Sequence, residues 1–432
     1  MKNYNSQSAK LTNALVYFII ITTVVMLAPL VYKLAGEYSD NIWAASSGDR
    51  EAVNERAARN KQFTVAERTV DISGLRNTEF GALSLISAKI TDGGDIILFC
   101  SGRAEAAAAG TATATTPTPT AEPEEIMRIA ALTNTAHAAD EESGVLYGEL
   151  AVSARAFRNH WPDSLRNKDY IFKDYGDGTF FMSNSRTAFL FDTPSMRAAE
   201  NYSYPYNFNV YHSALSNDKE KLAIAAEEGF FIGNPKESSM PLGASNMKEL
   251  IAAVNAGGVI MTARNPVWSS DDERIFYKLY ADNFVRYAGV TAASPGGNER
   301  LTALDASNFI FLKDDTVFYY ISSDAAASPV NLFRCGYFNL NERRMQDVMK
   351  SQVFYFDVDV SSGGAHFAAL SHNGNMIKIS VIDILTKKLI YSSLYSEIYD
   401  FSFSPDEKNI IIYGRADNRR TLRVINIDWT EE

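Results

Sequence analysis

Cysteine, histidine and basic residues are all scarce in this sequence. The two cysteines, Cys100 and Cys335, cannot support a disulfide framework and lack zinc-site spacing. Five scattered histidines make a histidine-based metal centre unexpected. Lys and Arg number 41 against 52 Asp and Glu, a net charge of −11, which argues against a nucleic-acid binder with a basic face. The composition therefore predicts no metal, no cofactor and no nucleic-acid partner.

One long apolar run does occur, near the start of the sequence. Residues 11–32 contain no charged side chain and would span about 33 Å as a helix, enough to cross a bilayer. Lys2 and Lys10 precede the run, so the positive-inside rule places residues 1–10 in the cytoplasm and the rest of the chain outside. The sequence predicts a single-pass cell-membrane anchor; the alternative is a cleaved signal peptide, against which the length of the run argues.

Two further segments differ in composition from the body of the chain. Residues 33–62 are predicted to be a helical stalk, because the charged stretch 47–62 begins with a Ser and Asp and pairs Glu55 with Arg59 at i,i+4. Residues 104–125, rich in Ala, Thr, Pro and Glu, cannot bury enough apolar surface to fold and are predicted to be a disordered insert. Residues 63–432 are assigned to one domain.

That domain contains a repeated pattern. A turn rich in Asp, Gly, Ser or Asn recurs, followed by three to five strand-forming residues. The turns are marked by Asp92, Asp177, Asp218, Asp271, Asp314, Gly363 and Asp406. Their spacings are 41 to 53 residues, apart from one of 85 that contains the insert and could also hold a degenerate blade around residues 145–157. Because a four-stranded propeller blade takes about 40–50 residues, the pattern predicts an all-β propeller of seven or eight four-stranded blades.

Two of the repeats resemble a known family. Val-Trp-Ser-Ser-Asp-Asp-Glu-Arg-Ile-Phe-Tyr, starting at Val267, and Phe-Ser-Phe-Ser-Pro-Asp-Glu-Lys-Asn-Ile-Ile-Ile-Tyr, starting at Phe401, are similar to the repeats of TolB-like, or WD40-like, propellers. The same pattern occurs in the N-terminal propellers of prolyl-oligopeptidase-type peptidases. Asp272 and Glu407 stand where the family usually has Gly, so a less tight turn is expected. The resemblance implies a fold and no chemistry.

The ends of the domain suggest how the ring closes. Residues 421–429 read as a third strand of the last blade with little chain after it. Residues 63–72 also read as a strand, and we expect them to supply the fourth strand of that blade.

An aromatic segment is the candidate binding site. Tyr202, Tyr204, Tyr206 and Phe208 alternate with small polar residues, so period 2 places the four rings on one face of a strand. Such a face is either a platform for a sugar or a protein, or a strand packed against a neighbouring blade. Asp357 and Asp359 alternate in the same way, which predicts either an acidic channel mouth or an ordinary solvated strand face.

No residue pattern in the chain points to a catalytic site. The serine-nucleophile motif G-x-S-x-G is not matched, since Gly243-Ala-Ser245-Asn-Met lacks the second Gly. The sequence therefore predicts a non-enzymatic, membrane-anchored, extracytoplasmic propeller that binds an envelope protein or polymer. The alternative is a glycan- or peptide-processing propeller enzyme that uses acidic residues in its central channel.

Overall fold

The chain is described from a computed structural model. The residues that it describes are 61–103, 125–133, 139–140, 144–158, 160–204, 209–226, 229–234, 261–281, 284–292, 300–303, 306–312, 316–322, 332–339 and 344–431. The predicted cytoplasmic tail, the membrane anchor 11–32, most of the stalk 33–62 and nearly all of the insert 104–125 lie outside these ranges.

Seven sheets, built almost entirely of sequential antiparallel strands, make up the described part of the chain. Sheet 1 holds β2 (Ser84–Ile90), β3 (Ile96–Arg103), β4 (Glu125–Thr133) and β7 (Glu149–Val152). Sheet 2 holds β8 (Ile171–Asp174), β9 (Thr179–Ser183), β10 (Thr187–Asp192) and β11 (Arg197–Ser203). Sheet 3 holds β12 (Val210–Leu215), β13 (Leu222–Ala226) and β14 (Gly229–Gly233).

The remaining sheets continue the same order. Sheet 4 holds β15 (Met261–Trp268), β16 (Arg274–Ala281), β17 (Phe284–Ala292) and β18 (Arg300–Ala303). Sheet 5 holds β19 (Asn308–Phe311), β20 (Thr316–Ser322), β21 (Phe333–Asn339) and β22 (Arg344–Ser351). Sheet 6 holds β23 (Tyr355–Val360), β24 (His366–Asn373), β25 (Met376–Asp383) and β26 (Leu389–Tyr395).

Sheet 7 joins the two ends of the domain. It holds β27 (Glu397–Phe403), β28 (Asn409–Ala416), β29 (Arg419–Glu431), β1 (Lys61–Val70), β6 (Val145–Leu146) and β5 (Ala139–Asp140). β1 pairs antiparallel with β29, from Lys61 opposite Glu431 to Thr69 opposite Arg423. The predicted closure of the last blade by an N-terminal strand is confirmed.

Core packing arranges the sheets in a ring. A cluster of buried apolar side chains lies between each pair of consecutive sheets, and a further cluster joins sheet 7 to sheet 1. The second strands carry the largest share of this core because both of their faces are covered, as in the run Ile96–Cys100, whose five residues are buried. The described chain is thus an all-β propeller around a central channel.

Parts of the predicted fold class are wrong. Among the described residues six sheets are complete blades of four or more strands and sheet 3 has three strands, so the described chain has six such blades and not the predicted seven or eight. No degenerate extra blade forms around residues 145–157, because β6 and β7 join sheets 7 and 1. Lys61 and Gln62, predicted to end the helical stalk, begin β1 instead.

Helical structure is sparse in the described residues. It comprises the six-residue α1 (Trp161–Arg166) and a 3-10 turn at Ser73–Asn77. Within the described ranges, no helix has the length and hydropathy needed to cross a bilayer.

Candidate functional site

The four aromatic residues singled out in the sequence do not form an exposed row where they are described. Tyr202 is 5 % exposed and Tyr204 9 %, and both belong to the core between sheets 2 and 3. The Tyr204 hydroxyl lies 2.8 Å from Oγ of Ser213, which ties it to the neighbouring sheet. For these two residues the structure shows the packed arrangement; Tyr206 and Phe208 lie outside the described residues.

The first strand of each sheet lines the central channel, and a β-bulge near its start orients the channel residues. The pairing of first and second strands shifts by one residue in sheets 1, 3, 4, 6 and 7. A bulge locally changes the direction in which the following side chains point. The polar residues that directly follow the one-residue bulges are Ser87, His212, Asp357 and Asp400.

A cavity of about 610 Å³ occupies the channel between the first strands of sheets 1, 2, 6 and 7. Five carboxylates line it, those of Asp92, Asp174, Asp357, Asp359 and Asp400. Its walls also carry two ammonium groups, those of Lys89 and Lys168. Its aromatic lining consists of the rings of Tyr170, Phe172, Phe401 and Phe403. The predicted alternation of Asp357 and Asp359 therefore corresponds to the acidic channel, rather than to an ordinary solvated strand.

A buried network holds one side of this cavity. The carboxylate of Asp400 accepts hydrogen bonds from Oγ of Ser87, at 2.5 Å, and from Nζ of Lys89, at 3.2 Å. The hydroxyl of Tyr170 lies 3.3 Å from the same Ser87 oxygen. Burial alone would lower the pKa of Lys89, but the negative charge of Asp400 and the neighbouring Tyr170 and Asp359 outweigh burial, and the pKa lies above its ordinary value. Lys89 is therefore a fixed cation.

The other ammonium bridges the channel. Nζ of Lys168, from the loop before β8, lies 2.6 Å from Oδ2 of Asp357 on β23, across sheets 1 and 7. The same Nζ lies 4.9 Å from the centre of the Phe401 ring, within cation–π range. Both partners of the ion pair are more than a third exposed, so solvent screens the pair and its contribution to stability is small.

Among the described residues, three of the cavity carboxylates, those of Asp92, Asp174 and Asp359, have no ammonium contact of this kind. Oδ2 of Asp359 accepts a hydrogen bond from the Phe403 amide at 3.1 Å, and Asp174 accepts from the amides of Asp92 and Gly176. Burial raises the pKa of Asp359 against the opposing charge of Lys89 and backbone hydrogen bonds, and it raises the pKa of Asp174 against backbone hydrogen bonds. The cavity thus holds more negative than positive charge.

An exposed aromatic pair that the sequence patterns did not predict lies at the start of β23. Phe354 and Phe356 are 39 % and 38 % exposed, and the Phe356 ring stacks on His372 with centroids 4.7 Å apart. Phe356 is the residue inserted by the bulge of sheet 6, between paired Tyr355 and Asp357. The available signal was the run Phe354-Tyr355-Phe356 directly before the acidic pair. This pair is called the aromatic rim below.

The aromatic rim and the Lys61 end of β1 are on opposite faces of the ring. β23 runs from the aromatic rim towards the turn 361–365, which belongs to the face that carries the repeat turns, here called the turn face. Since β1 is antiparallel to β29, the Lys61 end of β1 lies beyond the Asn409–Asn426 pair and leaves the ring at the turn face.

The thiols offer no reactive centre. Cys100 and Cys335 are both free and fully buried, and burial raises the pKa of Cys100 to about 12, so neither forms a thiolate near neutral pH. In the described part of the chain, no group of three or more His, Cys, Asp or Glu is placed to hold a metal ion.

Comparisons with known proteins return structural likeness and no sequence family. No protein-family model and no curated protein matches the chain. The Cps50 (Swd1) β-propeller domain of Myceliophteria thermophila has a TM-score of 0.39 at 10 % identity, over 71 % of this chain and 91 % of that one. A chain of a mitotic checkpoint complex has a TM-score of 0.44 at 8 % identity, over 83 % of this chain and 92 % of that one. KlHsv2 with loop 6CD replaced by a Gly-Ser linker has a TM-score of 0.38 at 11 % identity, over 57 % of this chain and 73 % of that one.

The fold assignment itself comes from this chain's own topology. Sequential antiparallel sheets in a ring, with an N-terminal strand completing the last sheet, make a WD40-like β-propeller. The narrower resemblance to TolB-like propellers has no support from a family model.

Proposed function

We propose that this protein is a non-enzymatic binding module of the TolB-like kind, whose aromatic rim holds an envelope protein or polymer. The observation that carries the proposal is the exposure of Phe354 and Phe356 at one edge of a rigid ring. Exposed aromatic rings on a fixed scaffold supply large contact area at low cost in side-chain entropy, which is why such residues concentrate binding energy.

The expected size of the effect is substantial. Covering one partly exposed Phe side chain contributes on the order of 1–2 kcal/mol, so the two rings together contribute about 2–4 kcal/mol, a change in affinity of about 30-fold or more. His372 stacks on Phe356 and fixes one ring before a partner arrives, which lowers the entropy lost on binding.

The proposed location follows from the N-terminal sequence. Residues 11–32 are proposed to anchor the protein in the cell membrane with residues 1–10 in the cytoplasm and the propeller outside. The chain leaves the ring at the turn face, so the tether attaches opposite the aromatic rim. This arrangement presents Phe354 and Phe356 away from the bilayer.

The binding proposal is tested by affinity capture with the detergent-solubilised full-length protein. Wild type is compared with the double variant Phe354→Ser/Phe356→Ser and with Leu385→Ser, which removes an apolar side chain that is 54 % exposed elsewhere on sheet 6. We expect a defined envelope component to be recovered with wild type and Leu385→Ser and lost with the double variant. Equal recovery with all three proteins would contradict the proposal.

The membrane proposal has a separate test. A single added thiol, Leu385→Cys, is exposed, whereas the native cysteines are buried. A membrane-impermeant maleimide should label Leu385→Cys in intact cells, and label Asn3→Cys only after lysis. Labelling of Leu385→Cys only after lysis would refute the extracytoplasmic location.

One observation favours the alternative, a propeller enzyme. Asp357, Asp359 and Asp400 line the same cavity, and the raised pKa of Asp359 is what a general acid requires. Asp357 and Asp400 are each paired with a lysine, which makes a second free acid less available. Turnover of an envelope glycan or peptide by wild type but not by Asp359→Asn would favour the enzyme over the binding module.

A further inference from the structure

The channel cavity is a second candidate site, independent of the aromatic rim. Its volume of about 610 Å³ falls within the range of ligand pockets, roughly 300–1,000 Å³. Five carboxylates face two ammonium groups there, so the lining carries an excess of negative charge. Charge alone does not define a ligand.

One ammonium group of the chain already occupies the mouth of the cavity as a ligand would. Lys168 reaches across the channel to Asp357 and lies over the Phe401 ring, so a carboxylate and an aromatic face contact the same Nζ. Lys168 has φ +54° because it is the left-handed residue that ends α1 in a Schellman motif, in which the amides of Lys168 and Asp169 donate to the carbonyls of Leu165 and Ser164. The end of α1 therefore fixes the backbone position from which this amine reaches into the channel.

The pair that Lys168 makes is easily exchanged. Its side chain and that of Asp357 are 41 % and 36 % exposed, so water and salt compete for both charges. Deeper in the cavity, Asp359 faces Lys89, but the Lys89 ammonium is hydrogen-bonded to Asp400 instead. Asp359 therefore remains available for another cation.

We propose that the channel cavity binds an alkyl ammonium group, such as a lysine side chain of a partner segment, and that Lys168 is its built-in competitor. The incoming amine pairs with Asp357 and Asp359, and the aromatic walls at Phe401 and Phe403 cover its aliphatic stem. Lys168 is displaced into solvent in the bound state.

Binding is measured by calorimetry on the full-length protein in detergent with three probes. The first is acetyl-Gly-Lys-Gly-amide, the second is the same peptide with Nε-acetyl-lysine, which is neutral, and the third is spermidine. We expect the lysine peptide to bind about tenfold or more tightly than its acetylated form, with affinity falling as salt rises. Tighter binding of spermidine than of the peptide would identify a free polyamine as the source of the ammonium group, and the reverse a protein side chain.

Three variants decide whether the cavity is responsible. Asp359→Asn should weaken lysine-peptide binding about tenfold, while Lys168→Asn, which tolerates the left-handed backbone, should strengthen it severalfold by removing the competitor. Asp428→Asn, an exposed carboxylate on β29 outside the cavity, should leave binding unchanged. Thermal melting of each variant shows that it is folded.

Several results would overturn the assignment. Equal affinity for the lysine and acetyl-lysine peptides would exclude ammonium recognition, and an unchanged affinity of Asp359→Asn would exclude the cavity. Weaker binding by Lys168→Asn would show that Lys168 is not a competitor. Because the probes are small and defined, these outcomes do not depend on the partner captured through the aromatic rim.

Discussion

At the scale of single residues, the departures from the repeat pattern have a structural role. Lys219, Asp272 and Glu407 follow the marker residue of a turn and have φ of 63°, 55° and 65°, where Gly178 and Gly364 have 84° and 77°. The expectation of a less tight turn is therefore wrong, since the three residues adopt the left-handed backbone conformation that glycine has at the same position of the turn. In exchange, each side chain contacts the turn of the preceding sheet, which a glycine cannot do.

Asp272 shows what such a contact contributes. Its carboxylate accepts from the amide N and Nδ2 of Asn217, at 2.8 and 2.7 Å, and from the amide N of Asp218, at 3.0 Å. We expect Asp272→Ala to lower the free energy of unfolding by about 2 kcal/mol, because three part-buried donors lose a charged acceptor. Asp272→Gly should lower the free energy of unfolding by about 1 kcal/mol less than Asp272→Ala does, because glycine adopts the left-handed backbone conformation at little cost.

Urea unfolding followed by tryptophan fluorescence measures these differences. The neighbouring Glu273→Ala is the control, since Glu273 is exposed and in the same turn. Unfolding of Asp272→Ala at the same urea concentration as wild type would show that the contact between the turns is dispensable.

The pair of Lys219 and Asp177 gives a prediction about pKa. Hydrogen bonds from Lys219 and Thr179 lower the pKa of Asp177 to about 2. A carboxyl group whose pKa is lower in the folded state stabilises the fold above its unfolded pKa, and that stability is lost as pH falls towards 2. Lys219→Gln should therefore raise the Asp177 pKa towards 3.8, as measured by carbon NMR titration, whereas Lys221→Gln should leave it near 2.

At the scale of strands, the bulges explain why the site was only partly predictable. Strict alternation places every second residue on one face, and the repeat turns and second strands follow that rule. The first strands do not, because an extra residue such as Phe356 or Tyr399 shifts the pairing before Asp357 and Asp400. A bulge leaves no mark in the hydrophobic pattern, so the aromatic rim and the convergence of carboxylates appeared only in the structure.

A bulge in sheet 5 makes one glycine essential. The pairing of β21 with β22 shifts between Cys335 and Gly336, and a Cβ on Gly336 would lie 2.1 Å from the Gln346 carbonyl oxygen. Gly336→Ala should therefore lower the free energy of unfolding by about 3 kcal/mol, since backbone must move.

Gly374 provides the comparison for that change. It has φ +62° and open space around its missing Cβ, so Gly374→Ala should cost about 1 kcal/mol from backbone conformation alone. Equal urea midpoints for the two alanine variants would contradict the crowding argument.

At the scale of the whole molecule, ring closure was the feature that sequence predicted best. The repeat spacing and the incomplete last repeat led to an N-terminal strand beside β29, and β1 lies there. The number of strands in each sheet was harder to predict from the sequence, because sheet 3 has three described strands instead of four and β5 and β6 extend sheet 7 to six. Anchoring and location remain predictions.

Covalent closure should stabilise the ring. Thr64 and Asp428 lie opposite each other on β1 and β29, and both are exposed. A disulfide between Thr64→Cys and Asp428→Cys would enclose nearly the whole propeller, so we expect about 3–4 kcal/mol of stabilisation, from the lower entropy of the unfolded chain. Thermal melting of the oxidised and the reduced double variant measures the effect, with the reduced form as control; identical melting would show that β1 is not the weak point of the ring.

The pairing of β1 with β29 also governs the order of assembly. A ribosome makes β1 first among the described strands and β29 last, so β1 has no antiparallel neighbour while the intervening sheets are produced. During that interval its backbone donors and acceptors are open to any other extended chain. Newly made copies that meet before release therefore risk exchanging this strand, and slow or crowded synthesis favours intertwined dimers over single rings.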